Sequence, residues 1–143
     1  MNNRVVITGR GVVSPIGNTT KIFWDNLVKG KNGVGLISHF DTSEHNVKIA
    51  AEVNIDLNNY FTTKELNKID RFTGYAIISA DEAIADSKIS KINTDSNRIG
   101  VIIGSGIGGI NTFEEQHKRL LKSPRKVSPY FIPTMISDIA AGH

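Results

Sequence analysis

Residues 98–122 constrain the fold more than any other stretch of this 143-residue chain. They begin with an apolar run, Ile99 to Ile103, interrupted by a single glycine. Such a run is typical of a strand buried on both faces, as in parallel sheets covered by helices. A glycine loop from Gly104 to Gly109 follows, and a helix is predicted to begin near Ile110. The order strand, glycine turn, helix predicts an α/β fold, whose sites lie at the carboxyl ends of such strands.

The rest of the chain continues this alternation, because period-two and helical apolar patterns take turns along it. The predicted elements are strands at 4–8 and 47–53, helices from the cap residues 18–20 to about Gly30, from Thr62 to about Ile69 and over 71–87, and a last helix from Pro133 onward. The stretches 30–46 and 88–97 are predicted to be loops. We therefore expect one α/β domain over residues 1–143, with a mixed sheet covered by helices and no internal linker.

Three strands would leave the edges of that sheet open, so we expect further strands beyond His143. The sequence also ends inside an apolar helical pattern, an unusual place for a natural C-terminus. Ending there would leave Met135, Ile136 and Ile139 with little to cover them.

Composition excludes several kinds of chemistry. The chain has no cysteine, so within these residues it can form no disulfide, thiolate metal site or cysteine nucleophile. The net charge of +3 is too small to indicate nucleic acid, although clustered positive charge would suit an acidic partner. No apolar run approaches the roughly 18 residues of a membrane span, and no signal peptide is visible. We expect a cytoplasmic protein with no metal, cofactor, nucleic acid or membrane partner.

The glycine loop permits a second interpretation. Gly104, Gly106 and Gly109 formally satisfy the G-x-G-x-x-G fingerprint of dinucleotide sites. Such a site also requires a second strand that ends in a carboxylate about twenty residues later. Residues 123–129 stand there instead, with two prolines and no carboxylate. A dinucleotide-binding oxidoreductase that uses Gly104–Gly109 is retained as an alternative. For Gly9 and Gly11, tight turns and close backbone packing are the favoured interpretation.

Several longer motifs resemble the β-ketoacyl-acyl-carrier-protein synthases, most closely the elongating type II members of that family. In chain order they are VVITGRGVVSPIG from Val5, HFDT from His39, RIGVIIGSGIGG from Arg98 and PRKVSPYFIP from Pro124. The resemblance implies a thiolase-like fold, in which two similar α/β halves stack as layers α-β-α-β-α, and a homodimer. The chain resembles most of the first half, about the first third of such an enzyme.

The resemblance implies a decarboxylative Claisen condensation between an acyl-enzyme and a malonyl thioester held by the carrier protein. The cysteine nucleophile and two histidines that perform it are expected beyond His143. The chain's own histidines, His39, His45, His117 and His143, do not align with them, so these 143 residues alone are predicted to be inert. A non-catalytic ketosynthase-like subunit, which lacks the cysteine, is a further alternative.

Binding residues can be carried over from the resemblance. Ile107 matches a position against the acyl chain, and Phe131 matches an aromatic residue that closes the partner's acyl tunnel across the dimer. An apolar side chain isolated among glycines is also free to project into a pocket. Residues that match positions facing the acidic acyl carrier protein are Lys64, Lys68, Arg125 and Lys126. Similar enzymes often have a further basic residue where this chain has Asn67.

Overall fold

The computed structural model describes residues 4–90 and 93–143. In them the helices are α1 (Thr20–Val28), α2 (Thr63–Leu66), α3 (Arg71–Ser87), α4 (Ile110–Lys122) and α5 (Phe131–Met135), and the strands are β1 (Gly35–Leu36) and β2 (Ile49–Ala50). Short 3₁₀ turns lie at Leu57–Asn59, Ser96–Arg98, Pro124–Lys126 and Ile139–Gly142. Two residues of the connection predicted at 88–97, residues 91 and 92, lie outside the described residues. Contacts divide the chain into two compact units. The first is Met1–Ile55 with Ser79–Lys88, and the second is Asp56–Ile78 with Ile89–His143.

In the first unit, α1 begins where the sequence predicts it. Thr19 has an extended backbone, and its hydroxyl accepts a hydrogen bond from the backbone N–H of Ile22 at 3.2 Å. A side-chain acceptor at this position satisfies an N–H that the helix itself leaves unpaired. The helix ends at Val28, two residues before Gly30, which has a φ of +67°.

The segment Gly9–Val12, here called the first glycine loop, lies directly on α3 in this unit. A Cβ atom on Gly11 would stand 1.8 Å from the carbonyl oxygen of Ser79, and one on Gly9 would stand 2.1 Å from that of Ala83. Only glycine allows such an approach of one backbone to another. The prediction of close packing at Gly9 and Gly11 is confirmed.

In the second unit, α2 and α4 begin as predicted. Thr62 and Glu65 form a reciprocal capping box, in which each side chain accepts from the backbone N–H of the other residue. The helix α2 ends at Leu66, three residues before the predicted end near Ile69. The helix α4 starts at Ile110, and its basic residues Arg119 and Lys122 lie in the last turn, where the helix dipole favours positive charge.

Two predicted strands are wrong for the described residues. Residues 4–8 and 99–103 form no strand there, and most of their side chains are exposed, Val5 by 92% and Ile102 by 97%. A strand is completed by backbone hydrogen bonds from another segment, and no described segment pairs with either run. The strands that do form, β1 and β2, pair in antiparallel orientation, with Gly35 opposite Ala50 and Leu36 opposite Ile49. This pairing places β1 inside the stretch predicted to be loop, and it shortens the strand predicted at 47–53 to two residues.

The helix predicted from Pro133 onward forms only in part. The helix α5 ends at Met135, Ile136 is extended, and a separate 3₁₀ turn follows at Ile139–Gly142. The carbonyl oxygen of Met135 accepts a hydrogen bond from the backbone N–H of Gly109 at 2.8 Å. That carbonyl is therefore bonded to another segment, at the point where a continued helix would have used it.

The long helix α3 forms over the predicted residues, but much of it is half-buried rather than buried, with Thr73, Gly74 and Ile78 as its buried residues. The buried side chains of the described chain are mostly polar. They are Asp70, Thr73, Gln116 and Thr134, with Ile78 and Ala140 as the apolar members. All six belong to the second unit, where the side chains of Asp70, Gln116 and Thr134 are hydrogen-bonded. No described helix is long and apolar enough to cross a membrane.

Candidate functional site

The second glycine loop, Gly104–Gly109, has one packed end and one open end. At the packed end, a Cβ on Gly108 would lie 2.4 Å from the carbonyl oxygen of Met135, and the φ of Gly108 is +81°. The Ser105 hydroxyl accepts from the N–H of Gly108 at 2.9 Å. At the open end, Gly104 and Gly106 have no neighbouring atom within 4 Å of a Cβ position. The loop is thus fixed beside α4 and free where it follows the apolar run.

The two residues predicted for an acyl pocket lie on neighbouring segments of this unit. Ile107 is 71% exposed and lies between the open and the packed end of the loop. Phe131 is half-buried at the start of α5, and its ring lies 6.3 Å from the ring of Phe113 on α4. The hydrogen bond from Gly109 to Met135 joins the loop of Ile107 to the helix of Phe131. The two segments are thus linked, with an exposed apolar side chain on the loop and a half-buried one on the helix.

The N-terminus of α4 already holds a negative group. Gly109 has no side chain to cap the helix, and the Asp70 carboxylate does so from another segment. Its Oδ2 accepts from the N–H of Thr112 at 2.9 Å and from the Thr112 hydroxyl at 2.6 Å. In dinucleotide sites the pyrophosphate binds at this end of the helix. A buried carboxylate there repels phosphate, which argues against the oxidoreductase alternative.

The basic residues predicted to face a carrier protein are all exposed. Lys64 lies on α2, and Lys68 follows it, with its Nζ 5.5 Å from the centre of the Tyr130 ring. Arg125 and Lys126 lie in the 3₁₀ turn after α4, and no ion pair involves either of them within the described residues. By contrast, Lys118 and Arg119 are paired with Glu114 and Glu115. Arg125 and Lys126 are thus more available to a partner than Lys118 and Arg119.

Hydrogen bonds hold both basic segments in place. The Thr62 hydroxyl and backbone N–H donate to the Glu65 carboxylate and lower the pKa of that carboxyl, which keeps the α2 cap charged. The side-chain carbonyl of Gln116, a buried residue of α4, accepts from the N–H of Ser128 at 2.8 Å and fixes the turn that carries Arg125 and Lys126.

The histidines are not gathered into a site. His39 lies 3.7 Å from Glu52, the rings of His45 and Phe40 meet at 66° with their centres 5.4 Å apart, and His117 stacks on Phe113. No group of three or more histidine, aspartate or glutamate residues within residues 4–90 and 93–143 is arranged to hold a metal.

The first unit contains a cleft of about 1050 Å³. The first glycine loop, Phe23 and Trp24 line it, together with Glu82 and Asp86 of α3. Glu82 accepts from the backbone N–H groups of Val12 and Thr20, and Asp86 accepts from that of Arg10. Both carboxylates therefore serve the fold.

Sequence reasoning missed the contact of Asp70 with Thr112 and that of Gln116 with Ser128. Both join residues far apart in the chain, which no local pattern reveals. One feature of the sequence indicates the need for the first contact. The helix α4 begins at a glycine with no capping side chain, so its N–H groups need an acceptor from elsewhere.

Comparison with known proteins identifies the family. Residues 2–143 match the model of the beta-ketoacyl synthase N-terminal domain, and the chain belongs to that family. It is 48% identical over 143 residues to the 3-oxoacyl-[acyl-carrier-protein] synthase 2 of Staphylococcus aureus strain N315, covering 99% of this chain and 34% of the relative. The Synechocystis protein of that name is 40% identical over 141 residues, covering 97% of this chain and 34% of the relative. The chain thus spans about a third of the length of these relatives.

Solved structures show the same fold. A beta-ketoacyl synthase from Burkholderia phymatum STM815 matches with a TM-score of 0.75 at 23% identity, over 96% of this chain and 35% of that one. The ishigamide ketosynthase/chain length factor matches with a TM-score of 0.76 at 22% identity, over 94% of this chain and 34% of that one. The type II polyketide synthase complex AntDE:AntF contains an acyl-carrier protein with its ketosynthase. It matches with a TM-score of 0.71 at 23% identity, over 96% of this chain and 36% of that one. The chain therefore has the thiolase-like fold of ketosynthases.

Proposed function

We propose that this chain is the N-terminal part of a 3-oxoacyl-[acyl-carrier-protein] synthase of type II. The observation that carries the proposal is the 48% identity to the Staphylococcus aureus synthase over 143 residues. The complete enzyme joins an acyl-enzyme to a malonyl-carrier thioester by decarboxylative Claisen condensation, in fatty-acid elongation. It works in the cytoplasm as a homodimer with the layers α-β-α-β-α. The cysteine and the two histidines that react are outside these residues, so the 143 residues alone do not condense substrates.

In that enzyme, this chain supplies one residue to its own acyl pocket and one to the pocket of its partner. Ile107 and Phe131 contact the acyl chain, Phe131 from across the dimer. The exposure of Ile107 supports this role, because an apolar side chain held beside open glycines is available to a ligand. The neighbouring ring of Phe113 extends the apolar surface. An apolar wall excludes water from the thioester and the carbanion that attacks it.

The chain also supplies basic contacts to the acyl carrier protein through Lys64, Lys68, Arg125 and Lys126. Their exposure, and the absence of ion pairs at Arg125 and Lys126 within the described residues, support the assignment. The AntDE:AntF structure contains an acyl-carrier protein bound to its ketosynthase. Positive charge on one partner steers an acidic one and speeds encounter more than it raises affinity.

A hybrid enzyme tests the proposal. Residues 1–143 replace the matching N-terminal third of the Staphylococcus aureus synthase, and condensation is measured with acyl- and malonyl-carrier thioesters. We expect the folded hybrid to condense substrates and the 143-residue chain alone to show none. Titration of the chain with a nicotinamide dinucleotide is the control for the oxidoreductase alternative, and we expect no binding. A folded but inactive hybrid would contradict the proposed function, and a hybrid without its cysteine provides the background rate.

A further inference from the structure

Asp70 stands out because it is a buried carboxylate that the proposed chemistry does not use. It is 6% exposed. Its Oδ2 accepts two hydrogen bonds from Thr112, and its Oδ1 lies 3.4 Å from the donating N–H of Phe72. An ionised acceptor at a helix N-terminus forms stronger hydrogen bonds than a neutral one and gains from the helix dipole. Asp70 is thus the anchor of the first turn of α4.

This anchor belongs to a closed set of hydrogen bonds among three segments. The Thr134 hydroxyl donates to the carbonyl of Lys68 at 3.2 Å, and the N–H of Gly109 donates to the carbonyl of Met135 at 2.8 Å. The bond from Thr112 to Asp70 completes the set. The segments 68–70, 109–112 and 134–135 therefore hold one another in position.

The second glycine loop depends on this set for its position. Its first part has open space around Gly104 and Gly106, so packing does not hold it. Its last part is fixed because a Cβ on Gly109 would lie 2.7 Å from the carbonyl of Thr134 and 3.0 Å from Oδ2 of Asp70. Ile107 lies three residues before α4, so a displaced first turn of that helix moves the Ile107 side chain.

We propose that Asp70 is a positioning residue: by anchoring α4 through Thr112, it sets the position of Ile107 in the acyl pocket and so tunes which acyl chain lengths the condensing enzyme accepts. This inference rests on the proposed function. Asp70 touches no substrate and acts through the glycine loop. Loss of the anchor alters the shape of the pocket, so the ratio of rates for long and short acyl chains changes rather than the rate alone.

The experiment compares three variants in the hybrid enzyme, with short and long acyl-carrier primers. Asp70→Asn keeps the shape but removes the charge, and we expect its long-to-short ratio of kcat/KM to change about tenfold. Thr112→Val removes the hydroxyl donor and keeps the N–H, so its change is smaller. Thr112→Ser keeps both donors and retains the ratio of the unsubstituted hybrid. An equal loss at both lengths would indicate a merely structural role and overturn the inference.

Amide hydrogen exchange on the 143-residue chain tests the anchor independently of activity. Asp70→Asn is expected to speed exchange at Gly109 and Thr112 about tenfold, with α1 in the first unit as the unchanged control. Unchanged exchange overturns the inference, as does an unchanged ratio in an active Asp70→Asn hybrid. An inactive unsubstituted hybrid counts against the proposed function instead, so the two failures are distinct.

Discussion

The two glycine loops share a plan and differ in what surrounds them. Each leads toward a helix whose N-terminus receives a carboxylate from elsewhere in the chain: Glu82 at Thr20 of α1, and Asp70 at Thr112 of α4. The first loop presses its glycines onto the backbone of α3, whereas the second leaves Gly104 and Gly106 open. The first loop is therefore built for packing. The second is packed only beside its helix, and its open part is available to a ligand.

The sharpest test of this difference adds one methyl group to each loop. Gly11→Ala places a Cβ 1.8 Å from the Ser79 carbonyl, so the two backbones must separate. We expect the free energy of unfolding to fall by about 3 kcal/mol. Gly106→Ala meets no atom within 4 Å, and we expect a change of less than about 1 kcal/mol, toward stabilisation. Denaturant unfolding of both variants measures the contrast, and similar losses would contradict the assignment of the second loop as open.

Removing a remote carboxylate tests the feature that the loops share. Glu82 accepts from two backbone N–H groups through its two oxygens, at 2.9 Å from Val12 and 2.7 Å from Thr20. Glu82→Gln leaves an amide N–H₂ against one of them, so we expect a loss of about 2 kcal/mol in unfolding free energy. Glu115→Gln, which breaks an exposed pair with Arg119, is the matched control and is expected to lose under about 0.5 kcal/mol. Equal losses would mean that Glu82 is an ordinary surface charge.

The sequence predicts where α1 and α2 begin because the caps of these helices are local. Thr19 caps α1 three residues before the N–H that it binds, and Thr62 and Glu65 do the same for α2. A helix closes its hydrogen bonds within four residues, so a short window contains the information. The strands predicted at 4–8 and 99–103 need a partner segment, and their own apolar pattern does not specify one.

In the candidate site too, features set by nearby residues are predictable from the sequence, and contacts between distant residues are not. The position of Ile107 before a predicted helix is a local property, and so is the capping box that begins the helix of Lys64. The carboxylate of Asp70 at Thr112 joins residues 42 positions apart, so the sequence reveals only that α4 lacks a cap of its own. The hydrogen bond from the N–H of Gly109 to the carbonyl of Met135, at the end of α5, likewise joins residues far apart in the chain.

The open part of the second loop can be tested through function. We expect Ile107→Phe in the hybrid enzyme to lower kcat/KM for long acyl primers about tenfold and to leave short primers nearly unchanged. The reason is steric, because the larger ring takes space from the distal end of the chain. Leu121→Phe, at an exposed position of α4, is the control. An unchanged kcat/KM for long primers would remove Ile107 from the acyl pocket and leave the loop open without a ligand.

Charge reversal asks whether the functional surface extends from this loop to the neighbouring lysines. We expect Lys64→Glu with Lys68→Glu to raise the KM for carrier-bound substrate about fivefold at low salt, with kcat little changed. The effect should shrink as salt rises, because exposed charges are screened. Lys29→Glu with Lys31→Glu, two exposed lysines of the first unit, makes the same change in net charge elsewhere. Equal effects of the two pairs would indicate net charge rather than a docking site.

The smallest expected effect concerns α2. Its cap is formed by nearby residues, whereas the N-termini of α1 and α4 each bind a carboxylate from a remote part of the chain. The Thr62 hydroxyl and N–H donate to Glu65 and hold the pKa of its carboxyl below the ordinary value of 4.5. A lowered carboxyl pKa means that this stabilisation is complete above the ordinary value and is lost as the pH falls through the lowered one. We therefore expect the Thr62 amide to lose protection from exchange only in acid. Glu65→Gln should remove that pH dependence, since its amide does not titrate. A midpoint above 4.5 would mean that the capping box does not form, and that Lys68 is held by the Tyr130 and Thr134 contacts instead.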